Sequence, residues 1–185
     1  MSVFLEKQFV DAGYKTSVLH DNILFVKDFL KYNELETILK IIDITPEADW
    51  SIEYQKNLAR FCMEKFGRDD VENLVAEGKF EITQNWGDKN LNIKHHEEQE
   101  VFYNRLANIV KKSDPTLIVS GLATIQRMQA RVELKSHTDQ HTDPSIRYAT
   151  IIYINDEYND GELFFPKLDI SLKPNPGDLL FFPGD

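Results

Sequence analysis

Residues 147–184 read RYATIIYINDEYNDGELFFPKLDISLKPNPGDLLFFPG, and the fold class turns on how this stretch is parsed. Three runs in it, 147–156, 161–166 and 178–184, are rich in β-branched and aromatic residues, which favour a pleated, half-buried surface. Turn formers separate them: Asn159-Asp160-Gly161, then KPNPGD at 173–178. Gly161 and Gly177 suit tight turns between strands. Phe164, Phe165, Phe181 and Phe182 read as core or barrel wall. The preceding TLIVSGLATIQRMQARVEL (116–134) has the same texture, so the chain after Pro115 reads as all strand.

The part before it reads differently. NILFV (22–26) suits a short strand. In YNELETILKIIDI, Asn33 is placed to cap a helix, with Leu35, Ile38, Leu39, Ile41 and Ile42 at helical spacing and Asp43 to Pro46 closing it. A second amphipathic helix is expected over 52–67, a short third over 69–77 and a strand in KFEITQNW (79–86). The spacing predicts a further helix over 95–112, with Val101, Phe102, Leu106, Ile109 and Val110 on one stripe. Glutamates lie early in it and Lys111/Lys112 at its end, as the helix dipole favours. Helices first and strands last point to a single α+β domain over 1–185, with helical support at 28–112 packed on one sheet of a β-core at 116–185.

Composition narrows the function. A net charge of −10 argues against a nucleic-acid partner, since such binding rests on a basic face. One cysteine, Cys62, allows neither an internal disulfide nor a thiolate zinc site, and a reducing cytoplasm is the expected compartment. The sequence contains no apolar run long enough for a membrane span and no signal-peptide pattern at its start.

Chemistry concentrates in SHTDQHTD (136–143), where His-Thr-Asp occurs twice. In an extended strand, residues i and i+2 share a face about 6.6 Å apart. His137 and Asp139 at a strand end can therefore reach one metal ion, and imidazole plus carboxylate suits Fe(II), Mn(II) or Zn(II). All four of His137, Asp139, His141 and Asp143 cannot share one ion while extended, because 137 and 141 would stand about 13 Å apart. The chain must turn, or one pair is uninvolved. DQHTDPS looks like the turn, which favours His137/Asp139 as ligands and His141/Asp143 as loop. The plain alternative is a solvated polar loop.

In this context the stretch LKSHTDQHTDPSIRYATIIYINDEYNDGELFFPKLDISLKPNPGDLLFFPG resembles the double-stranded β-helix (jelly-roll) core of Fe(II)/2-oxoglutarate-dependent dioxygenases, closest to the prolyl 4-hydroxylase-like branch. There His-x-Asp is followed by a strand ending Tyr-Leu-Asn, by Gly-Gly-Glu-Leu/Thr-x-Phe-Pro and by Pro-x-x-Gly-Asp. FVKDFLKYNELETIL resembles the opening of that branch. The resemblance implies His137 and Asp139 as two ligands of a facial triad, and Tyr153 near the carboxylates of 2-oxoglutarate. It implies Fe(II) and 2-oxoglutarate as cofactors, O₂ as co-substrate and ascorbate as a further candidate. The activity it implies is hydroxylation of a C–H bond in a peptide, prolyl by analogy, or in a small molecule.

Three positions depart from the family pattern. Met128 and Arg131 stand where Tyr-x-x-Gly is usual, and Asp160-Gly161 replaces Gly-Gly. The distal histidine and the arginine or lysine that pairs with 2-oxoglutarate would follow FFPGD, where this sequence stops, so either a fragment of a longer protein, which is the favoured expectation, or a degenerate relative of the family is expected. Three rival readings stand beside the oxygenase: a non-catalytic jelly-roll binding module, a cupin-like metalloenzyme without 2-oxoglutarate, and a helical adaptor over 28–112, which has only an amphipathic stripe behind it.

Overall fold

The computed structural model describes residues 2–20, 22–46, 89–92, 97–119, 124–128, 136, 138–141 and 145–185. Helices expected over 52–67 and 69–77 and the strand over 79–86 lie outside these residues, as do Cys62 and Arg131. The chain groups into two compact units interleaved in sequence. One holds Met1–Ile44, His96–Gly121 and Ser136–Asp185, and the other holds Thr45–His95 and Leu122–Lys135. The fold is α+β, mixing helices with antiparallel sheet, and the described strands form no closed barrel.

The smaller unit is described only at one ladder. β3 (Lys89–Asn92) pairs antiparallel with β4 (Thr124–Arg127), Leu91 opposite Ile125, and Ile125 is buried.

The larger unit begins with a helix that the sequence did not announce, α1 (Ser2–Asp11), followed by β1 (Lys15–His20) and β2 (Ile23–Lys27). Two further helices, α2 (Tyr32–Ile44) and α3 (Glu97–Ser113), precede β5 (Tyr148–Ile152), β6 (Leu163–Phe165), β7 (Ile170–Leu172) and β8 (Leu179–Pro183). Its main sheet has the order β1-β2-β8-β5, every neighbour antiparallel. A strand from the N-terminal part thus sits beside the last strand, Val26 opposite Leu179 and Leu24 opposite Phe181. That pairing corrects the expectation of helices first and sheet afterwards. The Ile-Leu-Phe-Val run of β2 buries best against the Leu-Leu-Phe-Phe run of β8, whatever their separation in sequence.

Strand alternation sorts the side chains of this sheet. Leu24, Val26, Leu179, Phe181, Tyr148 and Ile152 fall on one face by register. That face takes the helices: α1 packs on β1, β2 and α3, and Thr16 donates a hydrogen bond to Glu6 of α1. A shallow apolar depression there is lined by Leu5, Asn22, Leu24, Ser113, Leu117, Tyr148 and Phe181. Phe182 points to the opposite face, where its ring meets Phe165 of the β6–β7 hairpin edge-on at 5.4 Å. α1 thus lies against one face of the sheet and the β6–β7 hairpin meets the other.

Two local expectations need correcting. The α2 cap is Lys31 rather than Asn33: the Lys31 carbonyl accepts the first helical bond from Leu35 N, and Glu34 Oε2 reaches back to accept from Lys31 N at 2.7 Å. This is the reciprocal half of a capping box, and it works with any residue at the cap because the acceptor belongs to the glutamate. In α3, Phe102, Leu106, Ile109 and Val110 are buried, but Val101 is 60% exposed, so the stripe is narrower than read. Phe164 also departs from the core reading, at 52% exposed, since it alternates away from Phe165.

Arg105 fastens α3 to the start of α2. Its guanidinium donates to both oxygens of Glu34, at 2.7 and 2.9 Å, and to the Phe29 carbonyl at 2.9 Å. Burial pulls Glu34 upward, but the bonds from Arg105 and the Lys31 amide outweigh it and hold the carboxyl below its ordinary pKa.

Candidate functional site

The Asp139 carboxyl sits on a single 3₁₀ turn, Asp139–His141, and is half-buried. The chain therefore turns at Asp139–His141. Backbone bonds pin this turn to the sheet. Gln140 N donates to Gly184 O at 3.0 Å, just beyond β8, and Gly184 N donates to Arg147 O at 3.0 Å, just before β5. His137 and Asp143 lie outside the described residues, and of His141 only the backbone is described.

Tyr153 continues the same strand pair at its other end. Its N–H donates to Asp178 O at 3.1 Å, and its carbonyl accepts from Gly177 N at 2.7 Å. By alternation its ring belongs to the face away from the helices. The residues of β5 set about 17 Å between the two ends. Tyr153 and the Asp139 turn thus lie at opposite ends of this strand pair. Burial first, and then the nearby Tyr158, push its phenol up to about 12, so it stays a neutral hydrogen-bond donor at physiological pH.

The loop that holds Tyr153 is built around Asp178, which is almost wholly buried at 1% exposed. One carboxyl oxygen accepts from Asp28 N at 3.0 Å, and the other accepts from Asn175 N at 2.9 Å. Gly177 has φ +91°, and a Cβ there would meet the Leu30 carbonyl at 3.1 Å. Leu30 N in turn donates to Gly177 O at 3.0 Å. The Pro-Gly-Asp sequence is therefore structural, as expected: glycine supplies the left-handed backbone and aspartate the buried acceptor. Gly161, with φ +76°, does the same before β6. Beside it lies Tyr158, whose ring carries Lys173 Nζ at 4.5 Å and whose carbonyl accepts from the same amine at 2.6 Å. The Tyr158 hydroxyl is buried with no partner among the described residues.

The donor chemistry fits a borderline-hard divalent metal such as Fe(II). Asp139 offers a carboxylate on a turn fixed at two backbone points, and the sequence puts an imidazole two residues before it. Among the described residues no group of three His, Cys, Asp or Glu side chains gathers. The apolar depression on the helix face is a different place, lined without carboxylate or imidazole. The sequence reading missed Gly184 and the buried role of Asp178. Gly-Asp after a proline marks the second, whereas nothing local marks the first.

One outcome follows for Tyr153. Its raised pKa means that the folded chain keeps a proton that the unfolded chain has released between pH 10 and about 12. That contribution to stability is complete below pH 10 and is lost as pH rises through about 12. Alkaline difference spectroscopy should show a step near pH 12, and Tyr153→Phe should remove it. A late step that survives in Tyr153→Phe assigns it elsewhere.

Comparison of the chain with protein-family models, with curated proteins and with solved structures gives no match. Among the described residues no helix is long and apolar enough to cross a membrane.

Proposed function

We propose that this chain belongs to an Fe(II)/2-oxoglutarate-dependent dioxygenase domain with a jelly-roll core, hydroxylating a C–H bond in a peptide or small molecule. The observation that carries the reading is the pinned turn. Asp139 is held at the rim of the β5–β8 pair by the Gln140–Gly184–Arg147 bonds, in a sheet whose helices occupy the opposite face from Tyr153. His137 and Asp139 would hold Fe(II), with Tyr153 donating to the far carboxylate of 2-oxoglutarate. When bound, the iron and 2-oxoglutarate supply oxidative decarboxylation to succinate and CO₂, coupled to hydroxylation of the substrate. The protein's own part is to fix the carboxylate, present the imidazole and keep the phenol protonated.

The test incubates the native protein with Fe(II), 2-oxoglutarate and a set of prolyl and non-prolyl peptides, and follows succinate by NMR with and without O₂. Succinate that needs both iron and O₂ is the expected result. Metal binding without succinate would replace the reading by a cupin-like metalloenzyme. Absence of any metal binding would leave a jelly-roll binding module with a polar His-Thr-Asp loop.

A further inference from the structure

We infer that Gly184 is a positioning residue for the Asp139 carboxylate, acting because it has no side chain. The inference rests on the metal-site reading above and concerns what sets the geometry of that site. Gly184 is buried at the end of β8 and bonds in two directions: its carbonyl accepts from Gln140 N and its N–H donates to Arg147 O, both at 3.0 Å. A Cβ at this position would stand 2.9 Å from the Ile146 carbonyl oxygen and 3.0 Å from Ile146 Cγ2, with Gln140 Cγ at 3.5 Å. The first of these is a backbone atom, which cannot rotate away. An added methyl must therefore push apart the segment entering β5 and the end of β8, and the Gln140–Gly184 bond lies in the path of that movement.

The restraint is specific to one side of Asp139. Gln140 is its immediate neighbour, so the Gly184 bond fixes the peptide plane from which the Asp139 turn departs. Backbone φ is not the cause, because Gly184 is absent from the residues in the left-handed region. Close approach is the cause. Alanine, the smallest change available, already fills the missing space. Positioning of this kind is worth about 10- to 100-fold in metal affinity where ligands are oriented by outer partners.

The test uses the whole chain with Gly184→Ala, and Ile38→Ala as a control that opens a cavity under α2 (Ile38 is 2% exposed) without touching the turn. Binding of Co(II) and Mn(II) is measured by visible absorption and by EPR, with thermal melting of the metal-free proteins alongside. Gly184→Ala is expected to weaken both metals about ten-fold or more and to alter the Co(II) band, while Ile38→Ala melts earlier and binds as the wild type does. Hydrogen exchange supplies a metal-free readout: the Gln140 amide loses protection in Gly184→Ala, while the Leu180 amide within β8 keeps it. Wild-type affinity and band shape in Gly184→Ala would overturn the positioning role and leave the metal site standing. Failure of the wild type to bind either metal would overturn both readings. A Gly184→Ala chain that does not fold, judged by loss of protection at Leu180, would assign Gly184 to the fold and overturn the specific role.

Discussion

Phe29→Ala is expected to lower the unfolding free energy by about 4 kcal/mol, the usual range for deleting a fully buried phenyl ring. The ring is 0% exposed and lies in the short connection between β2 and α2. It meets Phe9 of α1 edge-on at 6.2 Å and Tyr14 at 5.5 Å, and the Arg105 guanidinium of α3 lies over it at 4.7 Å. Its carbonyl accepts from Arg105 as well. Two helices and the residue before β1 therefore converge on one side chain, and removing it leaves a cavity between them. Net stabilities of domains run about 5–15 kcal/mol, so the loss is a large part of the whole. Guanidinium unfolding should show a lower midpoint at unchanged slope. Phe29→Leu, which keeps most of the volume, should cost about 1.5 kcal/mol or less. Phe164→Ala, at an exposed position on β6, should stay within about 0.5 kcal/mol. A Phe29→Ala cost under about 1 kcal/mol would mean that the aromatic cluster is not packed as described.

How much of this was legible in the sequence depends on how local each cause is. The strand runs at 147–156, 161–166 and 178–184 each contain a strand, because β-branched and aromatic residues bounded by Gly, Asn, Asp and Pro act locally. The α3 helix was readable from its stripe and its terminal lysines. By contrast α1 buries Leu5 and Phe9 but exposes Phe4 at 69% and Val10 at 52%, so its apolar residues lie on both sides and blur the periodicity. Next to it β1 is mostly exposed and carries an irregularity between Val18 and His20, which hides the two-residue alternation of a strand. The Lys31 cap was hidden for another reason: lysine has no side-chain acceptor, and the bond comes from Glu34 three residues later. The turn expected in DQHTDPS is met at Asp139–His141, because its turn formers act locally. The role of Gly184 depends on a carbonyl at Ile146, a tertiary approach that no pattern within either segment encodes.

Asp139→Ala is expected to have the larger functional effect, reducing iron-dependent succinate formation to the level without protein, a fall of at least about 100-fold. Orienting partners outside a metal's own ligands already cost about 10- to 100-fold, and a ligand that brings the only described negative charge on this turn should cost more. The fold should survive, because the Gln140 amide ties this turn to the sheet and Asp139 is only half-buried, and the cost in stability should be about 1 kcal/mol, the centre of the range for single substitutions. Asp139→Asn keeps the shape and removes the charge, and should fall on the same side as alanine because a neutral amide is a poor ligand for a hard divalent ion. Asp139→Glu keeps the charge but moves the oxygens outward by one methylene, and should retain weak Co(II) binding with little turnover. His141→Ala separates the two His-Thr-Asp copies: turnover close to wild type places the metal at His137 and Asp139, whereas loss equal to that of Asp139→Ala transfers the imidazole role to the second copy. Wild-type succinate formation by Asp139→Ala would end the assignment of this carboxylate as a ligand, and with it the oxygenase reading of the turn.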